Sequence, residues 1–113
     1  MIPASVRIFV CTQPQDMRRS FDGLALATQQ VIGEDPRSGA LFVFANRRCS
    51  QLKILWWDGN GYSLLCKRLH RALFRLPKPG GAADKSVAVD RVALFELLQG
   101  VASTRRRTLQ NRA

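Results

Sequence analysis

Arginine and lysine side chains between residues 47 and 78 are the groups in this sequence best suited to chemistry, and that chemistry is the binding of anions. The stretch holds eight basic residues and a single acid, Asp58. Guanidinium and ammonium groups bind phosphate oxygens through charge-assisted hydrogen bonds. The sequence therefore predicts a nucleic-acid-binding surface, and a solvated basic face without a ligand is the alternative. The predicted contact residues are Arg47, Arg48, Lys53, Lys67, Arg68, Arg71, Arg75 and Lys78.

Three aromatic side chains lie among these charges. Trp56, Trp57 and Tyr62 are candidates for stacking on bases, an interaction worth about 1–3 kcal/mol per base in single-strand binders. Neighbouring residues of a strand point to opposite faces of a sheet, so at least one of the two tryptophans is expected in the core. Stacking is therefore the weaker part of the nucleic-acid hypothesis.

The sequence contains none of the common catalytic or cofactor motifs. GxGxxG, GxxxxGK[ST], HExxH and GxSxG are all absent. The single histidine, His70, is expected to be solvated or in contact with phosphate. A metal-dependent nuclease would need converging carboxylates, yet Asp58 suits a turn and Asp90 suits a helix cap. We therefore predict a protein that is not an enzyme and that uses no metal or cofactor.

The net charge of this 113-residue chain is +10 at pH 7, which is unusual for a globular domain. Residues 1–46 are neutral overall, so the excess lies in the middle of the chain and in the arginine-rich residues 105–113. We expect this tail to be disordered when free, because it has little apolar content. A distribution of this kind favours a polyanionic partner, and DNA is the one predicted.

The spacing of the cysteines and the absence of long apolar runs indicate the cellular compartment of the protein. Cys11, Cys49 and Cys66 are widely spaced and include no CxxC pair, which favours a reducing compartment over a disulfide framework or a zinc site. No signal-peptide pattern and no apolar run of roughly 18–20 residues occurs in the sequence. We expect a soluble cytoplasmic protein with no membrane partner and no small-molecule substrate.

A β-hairpin is the element that must position the basic and aromatic groups. Asp58-Gly59-Asn60-Gly61 separates two apolar runs, residues 52–57 and 62–69, and both Asp-Gly and Asn-Gly supply the positive φ angles of tight turns. Neither face of the return strand is purely polar, so the hairpin is predicted to lie inside a sheet that is covered on much of both sides.

The remaining segments are predicted to complete that sheet and to cover it. Residues 41–45, LFVFA, are wholly apolar and indicate a central strand. Asp90 is a credible cap for a helix over residues 90–99. Further elements are predicted as strands over residues 6–11 and 74–77 and a helix near residues 20–32.

The predicted fold is α+β. We expect a single domain over residues 1–104, with a mostly antiparallel sheet of four or five strands, a central Trp-rich hairpin and two packing helices. Residues 105–113 form the basic tail. Because an isolated hairpin is marginally stable in water, the other strands are needed to hold it.

Four blocks of this sequence resemble a known family. They are DMRRSFDGL (16–24), SGALFVFANRR (38–48), KILWWDGNGYSL (53–64) and KRLHRALFRLP (67–77). In this order they are similar to TnpB, the second-reading-frame accessory protein of the insertion-sequence sixty-six family, over residues 5–101. Two departures are visible: Cys49 stands where the family usually has glycine, and Ala72-Leu73-Phe74 replaces a more typical Gly-Arg-Phe.

The resemblance implies a protein of a bacterial mobile element, encoded beside a separate and larger DDE transposase. It carries over no catalytic residues. Combined with the charge pattern, it leads us to expect a non-catalytic accessory protein that supports transposition by binding DNA through a basic surface. The alternative is a protein-interaction subunit that docks on the transposase, with the exposed part of the hairpin as its interface.

Overall fold

A computed structural model of the chain describes residues 2–81 and 83–102. From the N-terminus the elements are one strand, a helix that continues into a π-helical segment, five strands, a second helix and a short final strand. They are β1 (Ile8–Cys11), α1 (Phe21–Ala27), a π-helical segment (Thr28–Ile32), β2 (Leu41–Ala45), β3 (Gln51–Trp57), β4 (Tyr62–Arg68), β5 (Ala72–Leu73), β6 (Ser86–Val89), α2 (Arg91–Gln99) and β7 (Val101–Ala102).

The main sheet has five strands in the order β4-β3-β2-β1-β6. Strands β1 and β2 are parallel, and the other three pairings are antiparallel. The crossover between the parallel strands carries α1, as such connections usually do. Strands β5 and β7 form a separate two-stranded antiparallel sheet. The prediction of an α+β fold with a mostly antiparallel sheet and two helices is confirmed.

One helix covers each face of the sheet, and each face has its own apolar core. Alternation along β1 shows the division, because Ile8 and Val10 pack in the core beneath α2 whereas Cys11 packs in the core beneath α1. Strand β2 lies in the middle of the sheet and all five of its residues are buried. The wholly apolar LFVFA run therefore forms the central strand, as predicted.

The hairpin has the predicted turn but a different place in the sheet. Strands β3 and β4 pair from Gln51 with Arg68 to Trp57 with Tyr62, around the loop of residues 58–61. Strand β3 is an inner strand, whereas β4 is an edge strand whose residues from Leu65 to Arg68 are exposed. The hairpin thus forms one margin of the sheet instead of its centre, and only its β3 half is covered on both sides.

The predicted helix near residues 20–32 is divided in two. Regular α-helix ends at Ala27, and residues 28–32 form a π-helical turn. Thr28 is fully buried, and its hydroxyl donates to the Leu24 carbonyl at 2.9 Å. A β-branched residue that bonds the preceding turn in this way bends the helix and favours a local bulge. Gly33 then ends the segment in the left-handed region, with φ +82°.

Helix α2 begins where the sequence indicates. Its N-cap is Asp90, whose carboxylate accepts from the Ala93 backbone N–H at 2.8 Å. The expected strand over residues 74–77 is absent, since Phe74 is instead buried in the core beneath α2. The fifth strand is β6, a four-residue segment that is too short for its alternation to stand out in the sequence.

The predicted tail, residues 105–113, lies outside the described residues. Within the described part of the chain, no helix is long and apolar enough to cross a membrane. Cys11 is buried, Cys49 is half-buried and Cys66 is exposed, and all three are free thiols.

Candidate nucleic-acid interface

The loop of residues 46–50 connects β2 to β3 and presents two of the predicted arginines. The Asn46 side chain stabilises this loop through hydrogen bonds: its Oδ1 accepts from the backbone N–H groups of Ser50 at 2.9 Å and Gln51 at 3.0 Å. Its Nδ2 donates to the Ser50 hydroxyl at 3.1 Å. Arg47 and Arg48 are exposed at the tip of this closed loop. A loop fixed in this way holds both guanidinium groups at one end of the sheet.

Cys49 occupies a strained position in the same loop. Its φ is +57°, in the left-handed region that favours glycine. The family resemblance points to glycine at this position, and the backbone angle explains why that residue suits the turn. The Cys49 side chain is half-buried against the core beneath α2, and burial raises the pKa of its thiol.

The chain that follows β4 returns to this loop. The Leu69 N–H donates to the Ser50 carbonyl at 2.9 Å, and the Phe74 N–H donates to the Cys49 carbonyl at 2.8 Å. Between them Arg71 is exposed and has a φ of +65°. These bonds bring together two separate stretches of the sequence, the loop of residues 46–50 and residues 68–74. We call the resulting group the basic end, and it consists of Arg47, Arg48, Arg68 and Arg71.

The two lysines of the hairpin lie on opposite faces of the sheet. Lys53 shares its face with α1, and its Nζ donates to the Arg19 carbonyl at 2.7 Å. Lys67 shares its face with α2, and its Nζ donates to the Leu98 carbonyl at 2.6 Å, near the C-terminus of that helix. An ammonium group is favoured at a helix C-terminus because the dipole is negative there. Each lysine therefore has a structural partner as well as a charge.

Arg75 and Lys78 follow Phe74 along the chain and face helix α2. They line a cavity of about 710 Å³ between the connection after Phe74 and helix α2, and Glu96 lines the same cavity. Most of the other lining residues are apolar. The eight predicted contact residues are thus divided into a group of four arginines at one end, two lysines on opposite faces and a pair beside α2.

None of these eight side chains forms an ion pair within the described residues. The two ion pairs found there join Arg7 to Glu34 at 3.6 Å and Arg18 to Asp16 at 2.7 Å. The basic end therefore keeps its positive charge available to an anion.

Residues 15–19, which the sequence analysis did not include in the predicted binding surface, also reach this end of the molecule. The Gln15 N–H donates to the carbonyl of Ala45 at 2.9 Å, and the Arg19 carbonyl binds Lys53. Met17 lines a shallow groove with Lys53 and residues of β4. Residues 1–46 are neutral overall, so the net charge of this region gave no indication that residues 15–19 lie near the loop of residues 46–50.

The ion pair between Asp16 and Arg18 is bidentate. Arg18 Nε lies 3.1 and 3.0 Å from the two carboxylate oxygens of Asp16, and the Arg18 backbone N–H also donates to Oδ1 at 2.9 Å. Hydrogen bonding from the Arg18 side chain, followed by that from its backbone, lowers the pKa of Asp16 from 3.8 to about 2. Arg19, whose side chain is exposed, is the segment's cation without a carboxylate partner among the described residues.

The candidate stacking residues are distant from the basic end. Trp56 packs against the core beneath α2. Trp57 and Tyr62 make an edge-to-face contact with ring centroids 5.1 Å apart, and the Arg37 guanidinium lies 4.9 Å from the Trp57 ring. This group sits beside the 58–61 loop, and the seven residues of β3 separate it from the basic end by about 20 Å.

The carboxylate of Asp58 stabilises its own turn. Asp58 accepts from the backbone N–H groups of Asn60 and Gly61, both at 3.1 Å, and these bonds lower its pKa. His70 is exposed in the turn after β4. Among residues 2–81 and 83–102, no three His, Cys, Asp or Glu side chains come together in a way that could hold a metal ion.

The described residues form a small α+β domain that exposes four arginines at one end of its sheet. Over residues 6–108 the chain matches the family described as IS66 Orf2 like protein, TnpB_IS66, and it belongs to that family. The predicted resemblance is confirmed. The family is one of insertion-sequence accessory proteins.

Two relatives come from Sinorhizobium fredii (strain NBRC 101917 / NGR234). Uncharacterized protein y4hO is 41% identical over 103 residues, which cover 89% of this chain and 87% of the relative. Uncharacterized protein y4jC is 40% identical over 72 residues, which cover 64% of this chain and 62% of that relative. No solved structure matches the chain.

Proposed function

We propose that this protein is a non-catalytic accessory factor that supports transposition of its insertion sequence in the bacterial cytoplasm by binding DNA through the basic end. Membership of the IS66 Orf2-like family supports the role in transposition. The net charge of +10 supports a polyanionic partner.

One observation carries the proposal. Arg47, Arg48, Arg68 and Arg71 come from separate stretches of the chain, yet backbone hydrogen bonds at Ser50 and Cys49 hold those stretches at one end of the sheet. All four are exposed and none has a carboxylate partner among the described residues. Guanidinium groups arranged in this way are suited to phosphate oxygens.

Phosphate contacts dominate the proposed binding, and base readout plays little part. The charges project from loops and from an edge strand, and no helix that could enter a groove carries them. The aromatic group lies at the other end of β3. Binding of this type depends strongly on salt, with a slope of about −0.9 for each phosphate neutralised in duplex DNA.

Fluorescence anisotropy with a labelled duplex across a salt series tests the proposal. We expect steep loss of affinity with salt, and we expect replacement of the four arginines of the basic end by alanine to flatten the slope by about three to four units. Lys67 is left unchanged because it binds the Leu98 carbonyl.

A charge-matched control separates local from overall charge. Arg47→Ala with Arg48→Ala removes two positive charges from the basic end, whereas Arg37→Ala with Arg91→Ala removes two from elsewhere. The first pair should weaken binding more than the second. Equal effects of the two pairs, or binding without salt dependence, would contradict a phosphate site at the basic end.

Docking on the transposase is the second candidate function. Val92 and Phe95 of α2 are 60% and 49% exposed, and exposed apolar side chains on one helix favour a protein contact. Co-purification with the transposase in high salt, after nuclease treatment, would support this role. Loss of co-purification in Val92→Ser with Phe95→Ser would locate the contact on α2, and retention would place it elsewhere.

A further inference from the structure

Strand β4 is an edge strand with the features of a pairing surface. It is seven residues long and contains no proline. Its register with β3 is continuous from residue 62 to residue 68, so it has no bulge. Among the described residues it is bonded on its β3 side alone. A regular edge of this length can pair with another strand unless something protects it.

The turn bonds show which backbone groups point outward. Gly61 accepts from the Asp58 N–H, and the Leu69 N–H donates to Ser50, so the odd-numbered residues face β3. Backbone groups alternate in direction along an antiparallel ladder. The outward-facing groups therefore belong to Tyr62, Leu64, Cys66 and Arg68.

Leu65 identifies the centre of the surface. Its backbone faces β3, and its side chain, on the same face as α2, is 41% exposed in the middle of the strand. We propose that β4 pairs antiparallel with β4 of a second copy of this chain, so that Leu65 of each copy meets Leu65 of the other across a two-fold axis. The two five-stranded sheets then become one continuous sheet of ten strands.

The register is self-complementary in charge. With Leu65 on the axis, Lys67 lies opposite Ser63 of the second copy and Arg68 lies opposite Tyr62. No two like charges are directly opposed, and Arg68 gains a cation–π partner. A shift that centred the pairing on Lys67 would place two ammonium groups face to face, which is destabilising.

The outward groups supply the bonds that this register needs. Tyr62 pairs with Arg68 and Leu64 pairs with Cys66, each pair occurring twice about the axis. This gives about eight backbone hydrogen bonds, two for each pair. Because Leu65 lies at a position without hydrogen bonds between the copies, its side chains approach closely and are buried together.

Light scattering after size exclusion tests the proposal on the full chain. The sample is treated with nuclease and kept in high salt, so that nucleic acid cannot bridge two basic molecules. Concentrations run from about 1 to about 200 µM, because small interfaces form weak complexes. We expect the mass to rise from that of one 12.7 kDa chain towards that of two.

A proline variant isolates the edge from the rest of the fold. Cys66→Pro removes an outward N–H and leaves the bonds to β3 in place, whereas Cys66→Ala keeps the N–H. Cys66→Pro should remain monomeric at every concentration and Cys66→Ala should dimerise, both with the circular dichroism of the parent. A parent that stays monomeric, or a Cys66→Pro variant that dimerises, overturns the proposal.

Cross-linking tests the register. In a Cys66→Ala background, Leu65→Cys should form an inter-chain disulfide on oxidation, because residues opposite each other at such positions lie close enough to bridge. Ser63→Cys in the same background should not, since Lys67 lies opposite. Equal cross-linking of the two variants would contradict the register.

Discussion

The two ends of the β3–β4 hairpin are built in different ways. At the turn end, residues 58–61 are organised by their own neighbours: Asp58 accepts from Asn60, Gly61 and the Ser63 hydroxyl. Trp57 and Tyr62 then close the loop as a cross-strand pair. All of these contacts lie within a few residues along the chain, so this end of the hairpin is a local structure.

At the basic end the contacts join distant segments. Ser50 and Cys49 bind the chain after β4, and the segment before α1 binds Lys53. Gly100, at the end of α2, lies against Leu69 and Leu73. The arrangement of the arginines therefore depends on the whole fold.

The charges at the two ends differ as well. Near the turn end, Asp35 accepts from the Arg37 backbone N–H at 2.9 Å, and the guanidinium of Arg37 covers Trp57. At the basic end the arginines lack carboxylate partners among the described residues. The comparison favours the assembled end over the locally built end as the surface for the proposed phosphate binding.

Glycine substitutions at the two ends should give the largest difference. A Cβ at Gly100 would lie 2.5 Å from Leu69 Cδ1 and 3.0 Å from the Leu73 carbonyl oxygen, at a φ of +70°. Gly59 also has a positive φ, +110°, but a Cβ there meets nothing within 4 Å. We expect Gly100→Ala to cost about 2–4 kcal/mol and Gly59→Ala about 1–2 kcal/mol.

Chemical denaturation of the two variants, followed by circular dichroism, measures this difference. A Gly100→Ala variant no less stable than Gly59→Ala would show that α2 does not pack closely on the basic end.

Removal of the side chains that accept backbone hydrogen bonds in the two loops should give the next largest effect on stability. Asn46→Ala leaves the backbone donors of Ser50 and Gln51 without their partner in a half-buried loop, which should cost about 1–3 kcal/mol. Asp58→Ala affects an exposed turn whose donors can bond water instead, so we expect a smaller loss of stability than in Asn46→Ala.

Asn46→Ala and Asp58→Ala should also differ in their affinity for DNA. Asn46→Ala should weaken duplex binding in the anisotropy assay because Arg47 and Arg48 lose their fixed position, whereas Asp58→Ala should not weaken it. A larger effect of Asp58→Ala on binding would reverse our assignment of the two ends.

The carboxylate of Asp16 should titrate at an unusually low pH. The Asp16 pKa is lowered from 3.8 to about 2, so its ion pair with Arg18 contributes stability above pH 3.8 that is lost as the pH falls through about 2. An NMR titration should give this midpoint, and Arg18→Ala should return it towards 3.8. A midpoint that is unchanged in Arg18→Ala would show that the pair does not form.

Thiol reactivity should give the smallest effect. Burial raises the pKa of both Cys11 and Cys49, and access to each is restricted. At pH 8 a disulfide reagent should modify Cys66 first, Cys49 more slowly and Cys11 last, because the thiolate is the reactive form. Mass spectrometry of Cys66→Ala should show the remaining order, and rapid modification of Cys49 would indicate a more open loop.

The sequence alone determined those elements that are held together by contacts between residues close in the chain. The Asp58-Gly59-Asn60-Gly61 turn, the apolar strand Leu41–Ala45 and the Asp90 cap are present as predicted. Each of these elements is formed by residues that are adjacent in the chain or that follow one period of side-chain alternation. Such local patterns can be recognised without knowing the tertiary structure.

Only the tertiary structure decided where those elements lie. It placed β4 at the edge, added Ser86–Val89 as the fifth strand, and separated Trp57 and Tyr62 from the arginines of the basic end. It also gathered Arg47, Arg48, Arg68 and Arg71 by bonds between distant segments. The order of strands is set by which faces can be buried together, and that is a property of the complete chain.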